Sequence, residues 1–483
     1  MIAHRNELMA VLRQFNPWWK GERIADLPVW KRAAFNEIQL WVKTPPAPRA
    51  VLLSGARQIG KTTLMLQSVQ DLINAGVHPS QILYATFDHP LVKLTGLDGL
   101  LDLWREMEPA REGAEYVFLD EIQYTKDWQT WLKHQVDFHK LRRITVTGSA
   151  TPLVAEGQES GAGRWHTIRL ATLSFYEFLQ IKKVPVPDLP HVLSLRDLVD
   201  WNEADFVRTG VDAKPLTGHF YDYLLRGGFP QCAQVENVVA AQKLLREDIV
   251  DKVLKRDMTA LYGVRRILEL EQTFLYLCLH DGGLLDMVDL GKNLEVKKAT
   301  ATSYIHLLEA AHLIHRLPPF GYGKEVLRGR YKIYLADAAI ASSVLLKGKS
   351  LLEDAAGLGL AVETAFFKHL FARQSLQNVD FSYWRGKRER EVDLIAQVEG
   401  RLVPFEVKYR QQSTGWGELK GMVEFCTERK IALGYVITKD SADFGVMSQG
   451  SGLENGLRVV KIPAPLACYW LGKLEMDGRW EDF

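Results

Sequence analysis

Cysteine is scarce: four residues in 483, at Cys232, Cys278, Cys426 and Cys468, with no CxxC and no Cys/His zinc spacing. That excludes a disulfide framework, and a reducing cytoplasm is the compartment such usage fits. Long apolar runs are missing as well. No run of about 18 apolar residues occurs, so no membrane-spanning helix and no membrane partner are expected. The segment Met1–Trp18 carries His4, Arg5 and Glu7 and has no apolar signal core. An excess of one charge is absent too, with 60 Lys+Arg against 59 Asp+Glu. A histone-like polycation is excluded, so any contact with nucleic acid must come from local patches. No repeat and no low-complexity segment breaks the chain. What remains is 47% hydrophobic and 25% charged residues, enough for roughly three folded domains.

The proline cluster Thr44-Pro45-Pro46-Ala47-Pro48 closes an N-terminal helical segment, residues 1–45. Short apolar runs then alternate with helical stretches: Ala50–Leu53, Ile82–Phe87, Tyr116–Leu119 and Ile144–Val146. They are apolar throughout, as strands buried on both faces are, and the alternation predicts a parallel sheet over 46–182. Pro185, Pro187 and Pro190 end that unit. Helical patterns follow as a lid or linker over 183–260 and a smaller unit over 261–335. Strands and helices mix again over 336–483.

Gly55-Ala56-Arg57-Gln58-Ile59-Gly60-Lys61-Thr62 fits GxxxxGK[ST] between a strand and a helix. The glycines let backbone N–H groups curl around a phosphate chain, with Lys61 for the terminal phosphates and the Thr62 hydroxyl for Mg²⁺, and the nucleotide-binding stretch runs from Gly55 to Thr63. The cofactors expected are therefore ATP and Mg²⁺. The strand Tyr116–Leu119 ends in Asp120 and Glu121, the first suited to the metal shell, the second to activating water. The third strand ends at Thr147-Gly148-Ser149, where Thr147 or Ser149 is placed to touch the γ-phosphate or the water.

The set GARQIGKTT, FLDEIQ and TGSA resembles the AAA+ ATPase branch of bacterial and archaeal proteins that carry a C-terminal domain of unknown function. Gly163-Arg164, Leu173–Phe178 and Tyr223-Leu224-Leu225-Arg226-Gly227-Gly228-Phe229-Pro230 add to the resemblance. It implies that the Thr147 strand lies between the phosphate-loop strand and the Asp120 strand. It also implies that Arg164 reaches a neighbouring subunit's γ-phosphate and that Arg226 senses nucleotide from the lid, tasks that suit a forked, always-charged guanidinium. An arginine acting in trans implies a homo-oligomer, a ring such as a hexamer.

Further on, Lys297 and Lys298 open a helical pattern in which Tyr304, Leu307, Leu308 and Ala311 share one face. Lys297, Lys298, Thr300, Ser303 and His306 fall on the other. This is how a helix-turn-helix offers its second helix to DNA, and Pro318–Arg330, with Lys324, Arg328 and Arg330, would be the wing of a winged-helix domain. The same small fold also serves as a lid or clamp.

In the last part, Glu363 lies near the start of a helix, Asp393 lies in Glu391-Val392-Asp393, and a turn at Glu399-Gly400 leads to Glu406-Val407-Lys408. On a strand, Glu406 and Lys408 face one side, and a hairpin brings Asp393 beside Glu406. This arrangement resembles the PD-(D/E)xK nuclease fold in its EVD…EVK form. The resemblance implies Glu363 as the helix acid, Asp393 and Glu406 as metal ligands and Lys408 as the residue that positions the nucleophile. Lys387 and Arg388 are candidate phosphate contacts. Pro404 departs from the pattern, because a proline suits an edge or bulged strand better than a central one.

The expectation is thus an α/β P-loop NTPase with an AAA+-like parallel sheet, a helical lid, a winged helix and a C-terminal α+β restriction-endonuclease-like domain. Its catalytic set is Glu121, Lys61, Arg164 and Ser149. Its expected partner is DNA, duplex, single-stranded or branched. Two alternatives stand beside this reading: an ATP-driven switch that binds a protein, and an ATP-gated endonuclease.

Overall fold

The computed structural model describes residues 2–148, 163–321, 330–372, 379–449 and 456–478. It forms two compact units: Met1–Leu170 with Ala310–His312, and Ala171–Glu309 with Leu313–Phe483. The division falls after Leu170, earlier than the proline-rich stretch suggests, and the first 45 residues share a unit with the sheet.

In the first unit, β1 (Ala50–Gly55), β2 (Ile82–Thr86), β3 (Glu115–Asp120), β4 (Arg142–Gly148) and β5 (Trp165–Leu170) make a five-stranded sheet in the order β2-β3-β4-β1-β5. Every pairing is parallel, and β4 lies between β1 and β3, so the Thr147 strand occupies the place the resemblance implied. β1 is buried along its whole length, which is why it reads as an unbroken apolar run. β5 is an edge strand, Trp-His-Thr-Ile-Arg-Leu, in which His166, Thr167 and Arg169 break up the apolar run that marks the other strands.

The N-terminal helix Ile2–Phe15 sends Leu8 and Leu12 into the same core as Leu52, Leu83, Trp104 and Val146. Asn16, fully buried, then meets the outer edge of β2: its amide oxygen accepts from Tyr84 N (2.7 Å) and its amide nitrogen donates to Tyr84 O (2.9 Å). The indoles of Trp18 and Trp19 both donate to Ile82 O. One side-chain amide thus satisfies a residue's worth of strand edge, a need that any exposed edge presents.

In the second unit, β6 (Leu284–Leu285), β7 (Ile314–Leu317) and β8 (Tyr331–Leu335) form a small antiparallel sheet in the order β6-β8-β7. The helices Ile267–Leu279, Met287–Asn293 and Lys298–Ala310 belong to the same stretch. The C-terminal part is a six-stranded mixed sheet, β13-β14-β12-β11-β10-β9. Its strands are β9 (Val379–Arg385), β10 (Glu391–Val398), β11 (Arg401–Lys408), β12 (Leu433–Thr438), β13 (Gly445–Gln449) and β14 (Leu457–Pro463). Glu399 and Gly400, both at positive φ, make the tight turn that joins β10 to β11. The register pairs Leu394 with Phe405, so Asp393 and Glu406 come side by side.

Pro404 corrects an expectation, for β11 is an interior strand, flanked by β10 and β12. The proline is tolerated because β11 pairs with β12 only from Phe405 onward, so no β12 partner is denied an N–H at Pro404. All four cysteines are buried free thiols, and among the described residues no helix is long and apolar enough to cross a membrane.

Candidate functional site

The phosphate loop follows β1 directly. A Cβ on Gly55 would lie 2.5 Å from Leu170 O and run into Ile59, so only glycine lets the chain pass there. Gly60, at φ +94°, turns the chain into the helix Lys61–Asn74 in a conformation that costs other residues dearly. Lys61 is buried and donates to Gly55 O and Ala56 O, 2.8 Å each, so its ammonium rests on the loop's own carbonyls. Arg57 donates to Tyr124 OH (2.8 Å), and the buried Arg32 braces the loop from outside through Ile59 O (3.0 Å).

Asp120 is buried at the end of β3, surrounded by hydroxyls. Its Oδ2 accepts from Thr62 (2.8 Å) and Tyr84 (3.1 Å), and its Oδ1 accepts from Thr147. Burial raises its pKa above the usual carboxylate value, with the Glu121 charge adding to the effect, while the hydroxyl donors oppose it. Thr147 Oγ1 also accepts from Glu121 N (2.9 Å), so one side chain on β4 fixes both acids. Glu121 itself sits at φ +54°, a left-handed placement that costs a non-glycine residue roughly 1–3 kcal/mol, and its carboxylate accepts from Gln123. Thr62 and Asp120 form an oxygen pair suited to Mg²⁺, and the residues fit a magnesium nucleotide. Sequence reading gave no role to Arg32, Tyr84 or Gln123. Only Gln123, two places beyond Glu121, carried a local signal.

The other residues expected at this site behave differently. Ser149 lies outside the described residues. Arg164 is 40% exposed and pairs with Asp137 at 2.8 Å. Arg226 is buried, with its guanidinium bonded to Asp222 and to the carbonyls of Val235 and Glu236. The glycines after it have a packing reason. A Cβ on Gly227 would meet Asp337 Oδ1, and one on Gly228 would meet Leu173 O. Asp337 is buried and accepts from Thr172 (2.7 Å), Gly228 N (2.9 Å) and Ala339 N (3.0 Å). The Arg-Gly-Gly-Phe-Pro stretch thus builds a polar core.

A second charged site lies on the C-terminal sheet. Glu363 on the helix Ala355–Phe371, Asp393 on β10 and Glu406 and Lys408 on β11 do come together. β10 shifts register against β9 between Val392 and Ile395, which re-aims Asp393, and Asp393 Oδ2 accepts from Val407 N (3.0 Å). Lys408 Nζ is 2.6 Å from Glu406 Oε1, and Tyr334 donates to Glu363 (2.8 Å). Burial first, then the Asp393 charge, pushes the pKa of Glu406 up to about 8 and raises that of Glu363.

The residue missed here is Lys332 on β8. Its side chain is 6% exposed; it forms an ion pair with Glu391, and its Nζ lies 3.5 Å from Asp393 Oδ1. Burial works against its charge, but Asp393, Glu363 and Glu391 together raise its pKa above the ordinary lysine value. Among the described residues no group of three or more His, Cys, Asp or Glu side chains is arranged to hold a metal. With an ammonium against Asp393, the cluster as it stands does not fit the metal that the nuclease resemblance implies.

The face of the helix Lys298–Ala310 is split as expected. Ala301, Tyr304, Ile305 and Leu308 are buried, while Lys297, Lys298, Ser303 and His306 are exposed and Thr300 is half-buried. Lys387 and Arg388 are exposed between β9 and β10. Lys324 and Arg328 fall outside the described residues.

Residues 47–179 match a family described as an AAA domain. Residues 217–351 and 358–463 match two further families, each described as a domain of unknown function (DUF8612 and DUF4143). An uncharacterized protein of Haemophilus influenzae is 26% identical over 390 residues, covering 77% of this chain and 86% of that one. An uncharacterized protein of Mycobacterium tuberculosis is 28% identical over 395 residues, covering 80% and 75%. The solved structure of the Aeropyrum pernix ORC1 protein in complex with DNA is 14% identical with a TM-score of 0.28, covering 69% of this chain and 97% of that one. The parallel sheet with its phosphate loop, Asp120 and Glu121 lies within the stretch that matches the AAA domain and has the form of an α/β nucleotide-binding core.

Proposed function

We propose that this chain is an ATP-hydrolysing AAA-type machine that works as an oligomer and acts on DNA, branched or displaced DNA in particular. The observation that carries the hydrolytic reading is the way Thr147 ties Asp120 and Glu121 together beside the phosphate loop. Lys61 exchanges its two loop carbonyls for phosphate oxygens. Bound Mg²⁺, held by Thr62 and Asp120, supplies charge neutralisation on the phosphates. Glu121 accepts the proton of the attacking water, with Gln123 holding its carboxylate and Thr147 its backbone. Arg164 forms a half-exposed surface ion pair, the sort worth about 0–1 kcal/mol, and such a pair yields to a neighbouring subunit's phosphate. Arg226 has no part in this reading, since its donors are already committed within the chain.

The DNA reading is supported by the exposed Lys297, Lys298, Ser303 and His306 on a helix whose other face is buried. The order of three helices and a small three-stranded antiparallel sheet, which a winged helix follows, supports it too. Steady-state ATP hydrolysis, measured without DNA and with single strands, duplex and a four-way junction at one salt concentration, tests it. Stimulation by one structure is expected. A flat rate across the panel overturns the DNA reading and leaves the protein-binding switch, which the near-balanced charge favours. The endonuclease reading is disfavoured by the Lys332 ammonium lying against Asp393.

A further inference from the structure

β8 is stitched to the edge of the C-terminal sheet through one residue. Tyr383 on β9 donates its N–H to Pro318 O (3.0 Å), accepts from Phe320 N (2.6 Å), and sends its hydroxyl to Arg330 O (2.7 Å). This fixes the chain on both sides of the segment before β8 and sets Lys332 beside β10. The lysine's Nζ lies 5.7 Å from the Tyr383 ring centroid and against Glu391 and Asp393. A lysine is seldom buried unless its charge is needed there.

Four acids, Glu363, Asp393, Glu406 and Glu391, gather around Lys332 and Lys408. Glu406 keeps one oxygen open. It is 5% exposed, its Oε1 is bonded to Lys408, and its Oε2 is buried with no hydrogen-bond partner among the described residues. A buried carboxyl oxygen without a donor is satisfied by holding a proton or by binding a cation. Oxygen donors from several carboxylates are what Mg²⁺ or Mn²⁺ takes.

We infer that Lys332 stands in for a divalent cation, keeping a latent oxygen-donor site of Glu363, Asp393 and Glu406 closed, and that removing its charge opens the site to Mg²⁺ or Mn²⁺. The inference does not depend on the ATPase reading, because none of its residues belongs to the phosphate loop.

The test is a Mn²⁺ titration followed by electron paramagnetic resonance on the full chain, with Asp120→Asn in every protein to silence the nucleotide site. Lys332→Met is expected to bind one more Mn²⁺ per chain than the protein that keeps Lys332, and Lys332→Met with Glu406→Gln is expected to lose it again. Mn²⁺ should raise the Tm of Lys332→Met by several degrees and leave that of the Lys332 protein unmoved. A folded Lys332→Met that gains no Mn²⁺ overturns the inference. So does a Lys332 protein that already binds a Mn²⁺ removable by Glu406→Gln. Should Lys332→Met not fold, Lys332→Gln takes its place in the same titration and decides the matter.

Discussion

At the phosphate loop, Asp120 is held by the hydroxyls of Thr62, Tyr84 and Thr147; on the C-terminal sheet, Asp393 and Glu406 are held by the ammonium groups of Lys332 and Lys408. Both sites combine acids with lysine, and residue type alone does not tell them apart. Their partners do. A hydroxyl carries no charge, so the hydrogen bonds to Asp120 leave room for a cation, while the Lys61 ammonium rests on loop carbonyls. The second site meets its need from within the chain. The first arrangement is that of a site awaiting a charged ligand, and the second that of a site already supplied with one.

The largest expected break in this comparison is at the base. Glu121→Gln should lower ATP turnover by about 10²–10⁴-fold while nucleotide still binds, measured by steady-state hydrolysis and equilibrium binding. Turnover at the wild-type rate would remove Glu121 from the mechanism. Arg164→Ala should also stop turnover and spare affinity, and mixing it with Lys61→Ala protein should recover part of the activity. No recovery counts against an arginine acting between subunits.

Thr147→Val keeps the shape of the side chain but strips Asp120 Oδ1 and Glu121 N of their shared partner. About 1–3 kcal/mol of stability should be lost, read by denaturant unfolding, together with turnover. Unchanged turnover would mean that the two acids need no common anchor.

The smallest effect concerns Asp281, buried beneath the second site, where it accepts from Leu335 N (2.9 Å) and Thr364 (2.7 Å). Burial pushes its pKa from 3.8 up to about 6. The folded state therefore holds this proton after the unfolded chain has lost it, so this group's contribution to stability falls as pH rises through that window and is then constant. Asp281→Asn cannot titrate. The stability lead of the wild type over it should grow as pH is lowered from about 7 to about 4, by at most about 3 kcal/mol. A lead that shrinks instead would mean that the carboxylate is stabilised in its charged form.

The first site was almost wholly legible because its residues are consecutive and each local feature agrees with the next: strand, glycine turn, Lys-Thr, helix. Its outer shell was not. Arg32 and Tyr84 reach the loop and Asp120 from other elements, and a lone arginine or strand tyrosine carries no mark of its destination. At the second site the acids and Lys408 were readable, because strand alternation and the Glu399-Gly400 turn bring them together. Lys332 was not, since in Tyr-Lys-Ile-Tyr-Leu it looks like the solvent-facing residue of an alternating strand, and only burial shows otherwise. β5 escaped for the opposite reason, its edge position giving it polar residues where the other strands are apolar.

The covering of β2 by Asn16, Trp18 and Trp19 has a practical consequence. A shortened chain that begins at the proline cluster would keep the whole phosphate loop and lose the cover, leaving Ile82 and Tyr84 with open backbone groups on a flat apolar strand. Two such fragments would zip together along that strand. Their dimers and higher aggregates would be strand-paired products of the cut, and counting them would say nothing about how many full chains make up an assembly.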